Sequence, residues 1–146
     1  MVTGVIIRHF ASYTAARTNL RALLDTAHAG RVTTLTRDHQ RFAVVDADEL
    51  RDQLAALRSS GAVVTCEGGG WSAFLPGVPV SGEGDDLDGA IQDLIEALRD
   101  YAAEWNERLL DAPNHRGNWV LVALTELSDD AQLRNWLLCD EPAALR

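Results

Sequence analysis

The chain has 146 residues, 47% hydrophobic and 24% charged, a composition that fits a globular protein of one ordinary domain or two small ones. Its formal net charge of -9 is unevenly spread: residues 1–58 carry eight Arg against six acids, net +2, and residues 59–146 carry five Arg against sixteen acids, net -11. No apolar run approaches the ~20 residues of a membrane-spanning helix, the start of the chain lacks the basic and long apolar regions of a signal peptide, and Cys66 and Cys139, in different segments, build neither a disulfide framework nor a four-cysteine metal site; a cytoplasmic protein without membrane contact is expected.

In chain order, the β-branched run Val5 to Arg8 reads as a first strand, and Ser12 or Thr14 offers a side-chain oxygen to cap a following helix. Ala16, Leu20, Leu23, Leu24 and Ala27 recur at helical spacing, with Gly30 placed as the residue just past the helix end. Arg17 and Arg21 are four apart and are expected on one face, Arg17 in the first turns where backbone amides favour a phosphate. Val32 to Arg37 and Arg41 to Val45 read as two strands joined by Asp-His-Gln, with Phe42, Val44 and Val45 toward a core and with Arg37, His39 and Arg41 at the tip. Asp46 or Asp48 then caps a helix striped by Leu50, Leu54 and Leu57. On an isolated helix Arg17 and Arg21 would read as solvated charges; the hairpin arginines shift that reading toward a basic contact surface.

Three pieces of this half stand in a telling order: S-Y-T-A-A-R-T-N-L at Ser12 to Leu20, T-L-T-R at Thr34 to Arg37, and F-A-V-V-D-A-D-E-L at Phe42 to Leu50. Together they resemble the Phd/YefM antitoxin DNA-binding domain. The resemblance implies a β-α-β-β-α dimerisation and DNA-binding domain over residues 1–58, with Arg17 and Arg37 at the family's operator-contacting positions. Arg21, Arg41 and His39 are their candidate companions. A half of fewer than ~60 residues buries little core alone, and a dimer would duplicate the arginines about a two-fold axis, which implies a palindromic operator. Ala15 stands where the family usually carries Glu, removing a capping-box partner from the helix start.

After the linker Arg58 to Gly61, Ala62 to Glu67 and Trp71 to Leu75 read as strands about a Gly68-Gly69-Gly70 turn; the triplet lacks the following helix and Lys-Ser/Thr of a phosphate-binding loop. Val78 to Ser81 forms a short third strand, and Asp85 caps a helix whose stripe from Leu87 to Leu109 predicts roughly 23 residues. The corner Pro76-Gly77-Val78-Pro79 and the run Glu83-Gly84-Asp85-Asp86-Leu87-Asp88-Gly89-Ala90 resemble the HicB antitoxin domain. Trp119 to Leu124, a continuous apolar run, is read as a buried strand added to the sheet, and Ser128-Asp129-Asp130 starts a last helix bearing Leu133, Trp136 and Leu137. The resulting β-β-β-α-β order with a final short helix resembles the partial ribonuclease-H-like fold of HicB and gives an α+β protein overall, the acidic domain covering residues 62–146.

Ribonuclease H chemistry needs clustered carboxylates for metal ions, and the apolar strands offer only Glu67 and Glu126, near strand ends and far apart in sequence. His9, His28, His39 and His115 show no metal-ligand spacing, and no nucleophile, phosphate-loop or dinucleotide motif occurs. Neither an enzyme nor a cofactor is expected. The acidic half reads either as a surface for a basic partner or as a solvated face that keeps the chain soluble. The resemblances favour an antitoxin of a type II toxin-antitoxin system. It would neutralise a basic, RNA-targeting protein toxin through the acidic domain and repress its own operon through the first. Candidate toxin-binding residues are Asp93, Glu96, Asp100 and Glu104 on the wet side of the long helix, with Trp136. The competing class is a stand-alone dimeric transcription regulator whose second domain senses a small ligand.

Overall fold

The computed structural model describes residues 9–139, which form an α+β protein with two three-stranded sheets. The chain divides between Leu50 and Arg51 into two compact units. The predicted strand at Val5 to Arg8 lies outside the described residues.

In the first unit, β1 (His9–Phe10) pairs in parallel with β2 (Thr33–Arg37), and β2 pairs antiparallel with β3 (Gln40–Val44). Between β1 and β2 the single predicted helix is two: α1 (Tyr13–Thr18) and α2 (Leu20–His28). Ser12 caps α1 by accepting the Ala15 amide at 3.1 Å. Asn19 ends it, because its side-chain amide N–H donates to the Ala15 carbonyl at 2.9 Å while its backbone leaves helical geometry at φ -111°. Phe10, Ala16 and Leu23 make the small core, joined by Leu35 and Val44. Leu20 and Leu24, predicted on that face, are about half exposed (52% and 51%), since the break at Asn19 resets the helical phase the prediction assumed.

Strand alternation sends Thr33, Leu35 and Arg37, with their partners Val44, Phe42 and Gln40, to the core side of the hairpin. Phe42 was expected inside; it lies on the correct side but is 46% exposed, because this core is too small to reach the last pairs before the tip. Asp38 and His39 close the hairpin with positive φ of 50° and 65°, the two-residue turn whose twist suits antiparallel strands. Asp46 caps α3 (Ala47–Leu57) by accepting the Glu49 amide at 3.0 Å, an interaction that holds its carboxyl below the usual range. α3 runs across the division at Leu50 into the second unit, where Leu54 is buried and Leu57 is exposed.

In the second unit β4 (Val63–Glu67), β5 (Gly70–Phe74) and β6 (Ser81–Gly84) form an antiparallel meander. Gly68 and Gly69 make the first turn at φ of 60° and 81°, a conformation side chains resist. The third strand was predicted at Val78 to Ser81; it begins instead at Ser81, because Pro79 donates no amide and Val78 and Val80 bury themselves in a tight turn closed by Val80 N to Val78 O at 2.8 Å. The cap of α4 (Leu87–Glu104) is correspondingly Asp86, not Asp85, accepting the Gly89 amide at 2.7 Å. From Trp105 to Leu109 the helix continues in a wider π-type turn, so 23 helical residues run unbroken as the stripe predicted. Ala90, Ile91, Leu94, Ile95 and Leu98 are buried along it.

Trp119 to Leu124 is not a strand. It belongs to α5 (Trp119–Leu127), in which Leu121, Val122, Leu124 and Thr125 are buried at helical spacing and the Thr125 hydroxyl donates to Leu121 O at 2.8 Å. An apolar run without polar interruption carries no period to distinguish a buried strand from a buried helix. The unit therefore has the order β-β-β-α-α-α, ending in α6 (Asp130–Leu138), whose Asp129 and Gln132 form a reciprocal capping box. Arg99 on α4 fastens the α5–α6 corner, donating to Thr125 O at 2.8 Å, Ser128 O at 2.9 Å and Asp130 Oδ1 at 2.8 Å.

The tightest contact in this unit is between β6 and α4. A Cβ added at Gly82 would overlap Leu94 N and Ala90 O and lie 2.9 Å from Asp93 C, and one at Gly84 would lie 2.5 Å from Ala90 N. Gly82→Ala must therefore push sheet and helix apart, and we expect a loss on the order of 3 kcal/mol by urea denaturation. Gly77→Ala, with nothing within 4 Å but φ of +80°, is the contrasting variant, at about 1–2 kcal/mol. The corner contact predicts a pH dependence as well. Hydrogen bonding from Arg99 lowers the Asp130 carboxyl below its ordinary 3.8, so the contribution of the ionised form is present above that pH and is lost as pH falls through the lower native value. Asp130→Asn should unfold at lower urea than the parent at pH 7, with the gap closing below about pH 3.8.

Candidate functional site

Among the described residues, the arginines of the first unit lie on different elements and on both sides of its sheet. The Arg37 guanidinium carbon lies 5.8 Å from the centroid of the Tyr13 ring, within cation–π range, so the last residue of β2 sits over the start of α1. Tyr13 and Arg17 are four residues apart in α1 and share a face of that helix. Arg37 thus lies over an exposed aromatic ring, Tyr13 being 55% exposed, on the helix face that Arg17 shares. Arg37 also lies 3.6 Å from the exposed carboxylate of Asp38, a weak surface pair.

Two features expected of Arg17 change. It stands in the last turn of a six-residue helix rather than near the amides of a long one, so helix N-terminal amides give no phosphate site beside it. The break at Asn19 also puts Arg17 on α1 and Arg21 on α2, so their four-residue spacing no longer places them on one helical face; Arg21 is exposed on its own helix. Arg41 pairs with Thr36 in the register and therefore points to the side of the sheet opposite Arg37. There it lines a groove of about 620 Å³ with His9, Val32, Thr34 and Thr36, where His9 Nδ1 and Thr34 Oγ1 are 2.8 Å apart. His39 sits exposed in the turn itself.

Tyr13 went unnoticed in the sequence. The signal was available: an aromatic directly after the capping Ser12 and one helical turn before Arg17.

On the acidic unit the predicted toxin-contacting side chains have separate duties. Asp93 Oδ2 accepts the backbone amide of Glu83 at 2.9 Å, capping the outer edge of β6. Glu104 pairs with Arg108 one turn along, whereas Glu96 and Asp100 are exposed and border a groove of about 320 Å³ beside Arg99 and Asp130. Trp136 is 7% exposed and its indole N–H donates to Arg58 O at 2.8 Å, so its ring packs inside this unit. A π-turn closes against His115, with Trp105 Nε1 donating to His115 O at 2.9 Å and the Tyr101 hydroxyl 2.9 Å from His115 Nδ1. Of the two carboxylates weighed for metal chemistry, Glu67 ends β4, and Glu126 lies on α5, not on a strand, where it accepts from Asn106. Among the described residues no group of three or more His, Cys, Asp or Glu is placed to hold a metal ion, and no helix is long and apolar enough to cross a membrane.

The open side of the β4–β6 sheet was also missed. Val63, Thr65 and Glu67 alternate onto it from β4, Ser72 and Phe74 from β5, and Ser81 and Glu83 from β6. The opposite side carries Ala73, Gly82 and Gly84 against α4.

Comparison with curated proteins finds no match. Among solved structures, the antitoxin part of a candidate toxin/antitoxin system from Syntrophomonas wolfei subsp. wolfei shares this fold, with a TM-score of 0.74, 19% sequence identity, and coverage of 89% of this chain and 96% of that one. A family model described as "PHD-like: antitoxin of toxin-antitoxin, RelE / RelB, TA system" matches residues 8–138. With nearly its whole length inside that match, the chain belongs to this family of antitoxins of RelE/RelB toxin-antitoxin systems.

Proposed function

We propose that the chain neutralises a cognate toxin through its acidic second half, residues 62–146, and represses its own operon through its first half, residues 1–58, bound as a dimer to a palindromic operator. Membership of an antitoxin family implies the toxin partner. The observation that carries the DNA-binding part is the packing of Arg37 over the Tyr13 ring, on the face of α1 that also bears Arg17. Exposed guanidinium groups suit phosphate or base edges, and the net charge of +2 on residues 1–58 does not oppose a polyanion. Arg21, Arg41 and His39 are lesser candidates, Arg41 because it faces the other side of the sheet. Exposed Leu20, Leu24 and Val32 on so small a unit support burial against a second copy.

The net charge of -11 on residues 59–146 favours a basic partner and speeds its encounter more than it adds affinity. The partner we propose is a basic toxin that targets RNA, for which an acidic protein surface is an electrostatic substitute.

Co-expression with each neighbouring open reading frame tests the neutralisation: one product, toxic alone, should be rescued by and co-purify with this chain. Failure with every neighbour would leave a stand-alone regulator as the better account. For the operon arm, Arg17→Ala and Arg37→Ala should each weaken binding to the upstream operator, lowering the slope of log K against log salt by about 1 per lost phosphate contact in each subunit. Unchanged operator affinity in both variants, with the dimer intact by light scattering, would remove the assignment.

A further inference from the structure

We propose that the open side of the β4–β5–β6 sheet is the surface that docks the toxin, taking a basic segment with an apolar anchor. This rests on the antitoxin reading above and names the face it uses.

The register orders this side into three rows. Val63 and Phe74 pair across β4 and β5, with Ser81 beyond them on β6; both apolar side chains are exposed, at 37% and 41%. The next row is Thr65, Ser72 and Glu83, in which the Thr65 and Ser72 hydroxyls are 2.8 Å apart. Glu67 ends the third row opposite Gly70. A groove of about 510 Å³ runs over the polar rows, bordered by Thr65, Glu67, Ser72, Glu83 and Asp85. The side thus passes from apolar to hydroxyl to carboxylate within the length of five-residue strands.

Charge identifies the occupant. From Ser59 to Leu98 the sequence contains no Arg, Lys or His, while it holds Glu67, Glu83, Asp85, Asp86, Asp88, Asp93 and Glu96. The carboxylates on this side therefore have no basic neighbour within their own strands. Phosphate backbones are repelled by such a surface. A second copy is disfavoured, since a two-fold contact would dehydrate both sets of acids together without a cation. Arg or Lys side chains on a foreign segment would meet Glu67 and Glu83, while an apolar residue beside them covers Phe74 and Val63. Asp93 occupies the Glu83 amide at the β6 edge, so approach is over the open side and not along that edge. The long-helix acids Glu96 and Asp100 are the rival surface; they border a groove shared with Arg99, whose guanidinium is paired with Asp130, and that groove carries no exposed apolar pair like Val63 and Phe74.

The probe is the protein that the co-expression experiment rescues, purified with this full chain and titrated by calorimetry at two salt concentrations. Phe74→Arg and the pair Glu67→Arg/Glu83→Arg should each raise Kd at least tenfold and abolish growth rescue, while operator binding is unchanged. Glu96→Arg/Asp100→Arg should keep Kd within about twofold. Should Phe74→Arg fail to fold by circular dichroism, Glu83→Gln with Glu67→Gln carries the test, its tenfold loss shrinking at high salt. Parent-like affinity in the sheet variants overturns the proposal, as does loss confined to the Glu96/Asp100 pair. Phe74→Arg converting a dimer to a monomer with toxin binding intact overturns it too, since a second copy would then cover the face. A set of neighbours with no toxic product overturns the neutralisation reading itself, an outcome distinct from a rescued toxin that binds elsewhere.

Discussion

The second unit depends on the approach of two backbones. Gly82 and Gly84 let β6 lie against α4 at a separation where a Cβ would strike Ala90 and Leu94. Helices and sheets normally meet through a layer of side chains; here that layer is missing for two positions, and the polar groups at the junction must be matched in place. Asp93 on the helix accepts the Glu83 amide of the strand, and Asp86 caps the helix start by accepting the Gly89 amide, so the exposed donors at the junction are satisfied. The consequence reaches the other side of the sheet. With α4 seated so closely on one face, the remaining apolar side chains of the strands, Val63 and Phe74, have no place in that core. The acids Glu67 and Glu83 share their open side.

The same unit closes its far end with polar rather than apolar contacts. Arg99 supplies a cation to the carbonyls that end α5 and to the first residue of α6, where helix carbonyls and an acid both favour positive charge. Trp136 and Ser60 then tie α6 to the linker, through Trp136 Nε1 to Arg58 O at 2.8 Å and the Ser60 hydroxyl to Leu137 O at 3.3 Å. An aromatic that looked like a partner anchor is thereby a fastening within the unit. What distinguishes the two roles is a single backbone acceptor 78 residues away, which no local pattern displays.

That distance in sequence marks the boundary of what could be read in advance. Elements with a local signature were legible: a cap at Ser12 or Thr14, of which Ser12 is the one used, the places of both hairpin turns though each is one residue shorter than read, the stripe of α4 from Leu87 to Leu109, and a helix start at Ser128 to Asp130. Position slipped where a residue's effect is on its neighbours' geometry. Asn19 divides one apparent stripe into two helices, and Pro79 moves the third strand by three residues from 78 to 81. Type failed only at Trp119 to Leu124, where the apolar run has no period to read. For the candidate surfaces, residue types were visible but groupings were not. Arg37 and Arg41 are close in sequence and lie on opposite sides of a sheet, while Tyr13 and Arg37 are far apart in sequence and meet.

The division of charge between the halves has a physical consequence for an antitoxin proposed to meet two kinds of partner. At physiological salt, fields between exposed charges decay over about 8 Å, less than the radius of even a 50-residue unit, about 10 Å. The +2 of residues 1–58 and the -11 of residues 59–146 therefore do not average to -9 for an approaching molecule. A partner senses the side it meets. A chain of uniform charge at the same net value would repel a polyanion everywhere and attract a basic protein only weakly. Concentrating the acids in one half, and leaving forty consecutive residues from 59 to 98 without a base, lets one polypeptide present surfaces of opposite preference. The cost is carried by the arginines that remain in the acidic half: Arg99 and Arg134 each bind an acid of another helix element, at 2.8 Å to Asp130 and 3.0 Å to Asp88. Those pairs join α4 to α6, while Glu67 and Glu83 on the open side of the sheet have no base within residues 59–98 of the sequence.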